Sequence, residues 1–251
     1  MTLILTELSE HGVAMAADTA ATKKAVSEGG KTEFQVSHDV IKLHPIKELS
    51  AGISFYGMGL IGRTRTDVWV ADFIRRTASK HTSMKSFGIA LANELNSIIP
   101  PVKVRVILGF HIAGFEQTEK GSFPSAYQII NGTSPDGAFS CTQRQPPMEY
   151  KQGARLPLRG GDAAVYTKVF ELLERYLWMM RTAGPVPLTV PYPDNLRMRC
   201  EYLRFEIVTV SNIYILSNQV ASIGGPVTTL SISSKGIEDY ETRAEITREG
   251  S

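Results

Sequence analysis

Apolar residues in this chain recur at two periods, and the switches between them mark out its elements. Leu3-Ile4-Leu5, a turn at Glu10-His11-Gly12 and the apolar run 13–17 predict a strand, a tight turn and a second strand that returns Asp18 beside Thr2. Residues 23–35, with Gly29-Gly30 at the middle, read as an extended polar hairpin. A short strand carries Val40-Ile41-Lys42-Leu43 and ends at Pro45, and residues 49–59 read as a buried strand running into a glycine-rich turn. The period then lengthens. A helix over 65–78 takes Val68, Ala71, Phe73 and Ile74 as its apolar positions. A second, over 86–99, uses Phe87, Ile89, Ala90, Leu91, Leu95 and Ile98, and Pro100-Pro101 stops it.

Alternation resumes over 102–115 and again over 126–130, with Pro124, Gly132, Pro135 and Gly137 as turn punctuation. Residues 143–158 carry prolines and charges and read as a surface excursion. Arg159-Gly160-Gly161-Asp162 then opens a long helix over 163–182. A proline-rich loop leads to a final helix over 195–218, Gly224-Gly225-Pro226 breaks it, and 227–233 closes with a strand. The charged tail from Lys235 covers a sheet edge or frays. Strands, two helices, strands, two long helices and a strand are too sheet-rich for a bundle and lack strict βαβ alternation. The order predicts an α+β fold in which two antiparallel sheets pack together and helices cover their outer faces, as a single domain over 1–251.

Composition narrows function more by exclusion than by suggestion. With 43% apolar and 21% charged residues the 251-residue chain reads as soluble and globular. A net charge of +2 gives no argument for nucleic acid or an anionic membrane. No apolar run reaches membrane-spanning length, and the N-terminus lacks the basic-then-apolar layout of a signal peptide. Cys141 and Cys200 have no metal-like spacing and read as ordinary buried thiols in a reducing cytoplasm. The five histidines form no metal-like pair and read as turn or surface residues. No metal or cofactor is expected. The stripe Leu172, Leu173, Tyr176, Leu177, Met180 reads as core or subunit interface.

One candidate for chemistry stands out. Removal of an initiator Met ahead of a small residue would leave Thr2 with a hydroxyl and a free α-amine. An α-amine has a pKa of roughly 7.7–8.0, so part of it is neutral near pH 7 and able to take the hydroxyl proton. Taken singly, Asp18 reads as a turn cap and Lys42 as a solvated strand lysine. Their weight comes from company.

Three pieces together resemble the proteasome β-subunit group of N-terminal nucleophile (Ntn) hydrolases. They are Thr2 with the strand-turn-strand ending Met15-Ala16-Ala17-Asp18-Thr19-Ala20-Ala21-Thr22, then Lys42-Leu43-His44-Pro45-Ile46, then Phe55-Tyr56-Gly57-Met58-Gly59. Within that group the length and the long C-terminal helices are most similar to the proteobacterial proteasome homologue. The resemblance implies a four-layer αββα sandwich and a catalytic set of Thr2 as nucleophile, Asp18 and Lys42 as its charged partners, and the Gly57 amide as oxyanion donor. It further implies that Thr22 and Gly57 hold an extended peptide, while Ala21 and Phe55 shape the first side-chain pocket for small or medium residues. Ser222 is a supporting residue. The chain departs from the family in two places. The gap from Asp18 to Lys42 is long, and an alternative alignment puts Asp39 where the lysine belongs; Lys42 is preferred because Leu43 and Ile46 then keep their apolar register. The family's supporting serine falls near Gly161 or Asp162, and Gln219 and Val220 stand near the position of its acid.

The implied function is a self-compartmentalising threonine endopeptidase subunit, cytoplasmic, acting on polypeptide in a stacked-ring homo-oligomer. A separate ATPase would do any unfolding. Two rivals share the fold: an inactive structural ring subunit, and a small-amide hydrolase.

Overall fold

The computed structural model describes residues 2–26, 32–100, 107–131, 136–161, 168–176, 179, 195–216 and 223–243. The first half runs β1 (Leu3–Ser9), β2 (Gly12–Asp18), β3 (Ala21–Val26), β4 (Thr32–Ser37), β5 (Leu43–Ile46) and β6 (Ala51–Gly57). A small hairpin of β7 (Leu60–Ile61) and β8 (Thr64–Arg65) leads into α1 (Thr66–Thr77) and α2 (Met84–Ile98). Then come β9 (Leu108–Thr118), β10 (Gly121–Ile130), β11 (Ser140–Gln145) and β12 (Arg155–Gly161). Helical residues 168–176 (α3), α4 (Leu196–Leu216), β13 (Val227–Ser233) and β14 (Gly236–Arg243) complete the order.

The strands form two five-stranded antiparallel sheets, ordered β12-β1-β2-β13-β14 and β11-β10-β9-β6-β5. Strands β1 and β2 are buried along their whole length because both faces are covered. Their alternation sorts the side chains. Ile4, Leu8, Val13 and Met15 pack with Tyr56, Ala113, Leu230 and other residues drawn from both sheets. Leu3, Leu5, Ala14 and Ala16 pack against α4 through Leu203, Ile207 and Val210. On the other sheet, Ile53, Phe55, Phe110 and Ile112 pack against Val70 and Phe73 of α1 and Phe87, Leu91 and Leu95 of α2.

Two buried polar contacts tie elements of this frame together. Glu7 on β1 is 2% exposed and accepts from Arg199 of α4 at 2.6 Å. Thr6, on the opposite face, lies 3.4 Å from Nδ1 of His111 on β9 and so links the sheets.

Several expectations are corrected. Residues 143–158 are no mere surface excursion: β11 covers the first part and β12 the last. Gly160 and Gly161 are the last residues of β12, ahead of helical residues 168–176, and Pro124 lies within β10 instead of in a turn. Of the two readings of the charged tail, cover for a sheet edge agrees with Gly236–Arg243, which pair with β13 as β14. Residues 40–42 precede the short strand, which begins at Leu43. His111 is buried among the sheets, where desolvation pulls its pKa down to about 4 and keeps it neutral. On α1, Val68 and Ala71 face outward and Val70 faces inward. On α2, Ile89 and Ile98 are exposed. Half of the expected helix over 163–182, including Leu177 and Met180, lies outside the described residues. Among those described, no helix is long and apolar enough to cross a membrane.

Candidate active site

Thr2 sits immediately ahead of β1, 7% exposed, and its position is set by its neighbours on both sides. Leu3 pairs with Gly161 of β12, and Ile4 with Ala17 of β2. Gly161 has φ +124°, and a Cβ there would stand 1.7 Å from the Thr2 carbonyl oxygen. Only glycine lets β12 approach so closely in that conformation. The β1–β2 turn brings the end of β2 back to the start of β1, which puts Asp18 beside residue 2.

Asp18 is fully buried and its carboxylate is held by four donors. Oδ1 accepts from the Leu3 amide at 2.9 Å and from Lys42 Nζ at 2.9 Å. Oδ2 accepts from the amides of Ala20 at 3.1 Å and Gly224 at 3.3 Å. Thr19 returns the link by donating its amide to the Gly224 carbonyl at 3.2 Å. The loop ahead of β13 is therefore tied directly to the carboxylate, and one bond reaches the residue next to Thr2.

Lys42 is 3% exposed. Its ammonium donates to Asp18 Oδ1 and to the Ala20 carbonyl oxygen, and its backbone carbonyl accepts from the Phe55 amide at 3.0 Å. An ammonium has three protons, so one remains beyond these two bonds. Burial lowers the Lys42 pKa against the opposing pull of Asp18. The result is a cation whose proton is easier to lose than that of a surface lysine, fixed in place by a buried carboxylate.

Lys42 and Thr2 line one cavity of about 620 Å³. Ala21, Thr22, Phe55 and Gly57 line it too, so every sequence-predicted site residue except Asp18 and Ser222 faces this space. Asp18 lies behind Lys42, and Ser222 lies outside the described residues, as does Met1. Gly57 ends β6 with φ +105°, where a Cβ would stand 1.9 Å from the Ile107 carbonyl oxygen. Asp39 also lines the cavity, but it pairs with Arg65 at 2.7 Å; Lys42 is the side chain on Asp18.

Some contributors have no sequence motif. Gly161 reads as a helix entrance, and its role depends on a strand pairing between residues about 160 positions apart. Arg65 has no outward sign of joining the cavity wall, since the loop that brings Asp39 to it follows the long hairpin. Among the described residues no cluster of three or more His, Cys, Asp or Glu is placed to hold a metal ion.

No protein-family model and no curated protein matches the chain. Among solved structures, a mutant of Anbu from Hyphomicrobium sp. strain MC1 is similar over 99% of this chain and 89% of its own, with a TM-score of 0.54 and 14% identity. At that identity the likeness is one of fold, and it extends over nearly the whole of this chain.

Proposed function

We propose that the chain is an N-terminal threonine hydrolase acting on peptide bonds, built as a four-layer αββα Ntn-type domain. The observation that carries this reading is the buried Lys42–Asp18 pair at the wall of a cavity that Thr2 also lines. The fold likeness to Anbu, a bacterial proteasome-like protein related to Ntn hydrolases, supports the distant family.

In this reading Met1 is removed, and the Thr2 α-amine takes the proton from Oγ as Oγ bonds to the peptide carbonyl carbon. The Lys42 ammonium lowers the proton affinity of Oγ by its charge, and Asp18 holds the ammonium there. Charge gathering on the carbonyl oxygen is met by the Gly57 amide; removal of one such donor typically costs about 100- to 1,000-fold in rate. The α-ammonium returns its proton to the leaving amine as the C–N bond breaks, leaving an ester on Thr2. Water, deprotonated by the same amine, cleaves the ester and regenerates the hydroxyl. Ala21 and Thr22 on β3 flank the peptide, and Phe55 packs beside its side chain. Ring assembly, a separate unfolding ATPase and a cytoplasmic setting belong to the same proposal.

The test is hydrolysis of fluorogenic peptide amides, run on protein whose intact mass reports whether Met1 is gone. Cleavage by the wild type and none by Thr2→Ala is expected. Retention of Met1 together with no hydrolysis of any peptide would sink the reading and leave a structural subunit, whereas turnover of small amides alone would point to an amidase.

A further inference from the structure

We infer that the cavity beside Thr2 selects a long side chain with a cationic head, in place of the small or medium residue that the family resemblance implies, and that Asp39 reads that charge; this rests on the peptidase reading above. The cavity lining is more apolar than polar, with Val40, Phe55, Met58 and Leu60 among its residues. Among the described residues its charged groups are Lys42, Asp39 and Arg65. Asp18 pairs with Lys42 at 2.9 Å, so at the tip of a long substrate side chain the two charges largely offset each other, whereas an atom next to the ammonium still feels its charge.

Arg65 is occupied. Its Nε and Nη2 donate to Asp67 at 3.0 and 2.7 Å, Nη1 donates to Asp39 Oδ2 at 2.7 Å, and Nη2 also donates to the Asp39 carbonyl at 2.9 Å. Four of the five N–H groups of a guanidinium are thereby used. Asp67 sits in the first turn of α1, where a carboxylate suits the helix dipole, and its side chain is only 9% exposed. Asp39 differs: its side chain is 59% exposed, and Arg65 holds only one of its two oxygens. Two carboxylates against one guanidinium leave one net negative charge, and the accessible part of it is on Asp39. A side chain in this cavity therefore has both apolar lining and a carboxylate whose cation is already engaged elsewhere. Lysine and arginine have that shape, an aliphatic stem with a charged tip. A glutamate would meet repulsion, because Arg65 has almost no donor left to receive it.

The experiment compares kcat/KM for matched peptides carrying lysine, leucine or glutamate immediately before the scissile bond, at low and high salt, in wild type and Asp39→Asn. Expected is lysine over leucine by about five-fold, the size of an ion pair open to solvent, with glutamate lowest. The lysine advantage should shrink at high salt, as an exposed charge interaction must. In Asp39→Asn, which keeps an oxygen for Arg65 while removing the charge, the lysine-to-leucine ratio should fall towards one. Equal cleavage of all three peptides by the wild type, a preference for glutamate, or a lysine preference that survives both salt and Asp39→Asn would overturn the inference while leaving the peptidase reading intact. Should Asp39→Asn fail to fold, the wild-type ratios and their salt dependence still decide. Failure to cleave any of the three, with intact mass showing Thr2 exposed, removes the peptidase reading itself and this inference with it.

Discussion

Lys42 and Asp18 form a buried ion pair, and such a pair contributes little net stability even though breaking it is costly. Lys42→Ala would leave Asp18 in the interior with three amide donors and no cation. A loss of about 3–5 kcal/mol, read by denaturant unfolding, is expected from that uncompensated charge, along with loss of peptide hydrolysis. Activity should follow a bell against pH. On the acid side it falls as the Thr2 amine is protonated, around its roughly 7.7–8.0 pKa. On the alkaline side it falls as Lys42 loses its proton, at a pH below the ordinary lysine value of 10.5 because burial lowers it. A second buried group gives a separate pH signature. Glu206 on α4 is 2% exposed, and desolvation pushes its carboxyl up to about 8. The folded chain thus holds a proton that the unfolded chain has released above about 4.5. Stability from this group is intact below that value and is lost as pH rises through about 8. Thermal melts should show that decline in the wild type and a flatter profile in Glu206→Gln.

Strand pairing explains which parts of the site could be read from sequence. The β1–β2 hairpin was legible because both strands and the turn are contiguous, and period-two alternation of Leu3, Leu5 against Ile4, Leu8 matches the two faces found. Lys42 was legible only through its motif, since nothing local says that a lysine just before β5 turns inward to Asp18. Strand β12 was not legible, because Pro157 and the charges at Arg155 and Arg159 imitate a loop. The outward residues on α1 and α2 were misread for a related reason: several apolar residues, Val68 and Ile89 among them, lie off the buried stripe. A prediction at this level concerns β12. Gly161→Ala puts a methyl group against the Thr2 carbonyl and forces an alanine to φ +124°. Hydrolysis is expected to fall by at least the roughly 100-fold that a misplacement of about 1 Å can cost. Melting temperature should drop as well, since the β1–β12 register must shift.

The same molecule leaves apolar side chains uncovered on its helical faces. Leu172 and Tyr176 on α3 are 65% and 60% exposed, and Leu216 at the end of α4 is 84% exposed. Leu172 and Tyr176 lie one helical turn apart, and contiguous apolar exposure marks association surfaces more often than single scattered leucines do. If these faces meet copies of the chain in a ring, wild-type protein should run as a large assembly in mass photometry, and Leu172→Arg or Leu216→Glu should shift it towards smaller species. Whether the chain works as a hydrolase turns, however, on one residue. The most direct test is to treat the protein with a peptide epoxyketone or boronate and map the adduct by mass spectrometry. The expected result is a chain lacking Met1, modified at Thr2 and unmodified in Thr2→Ala and Lys42→Ala. A mature chain that still carries Met1, or one that loses Met1 yet is never modified at Thr2, would contradict it.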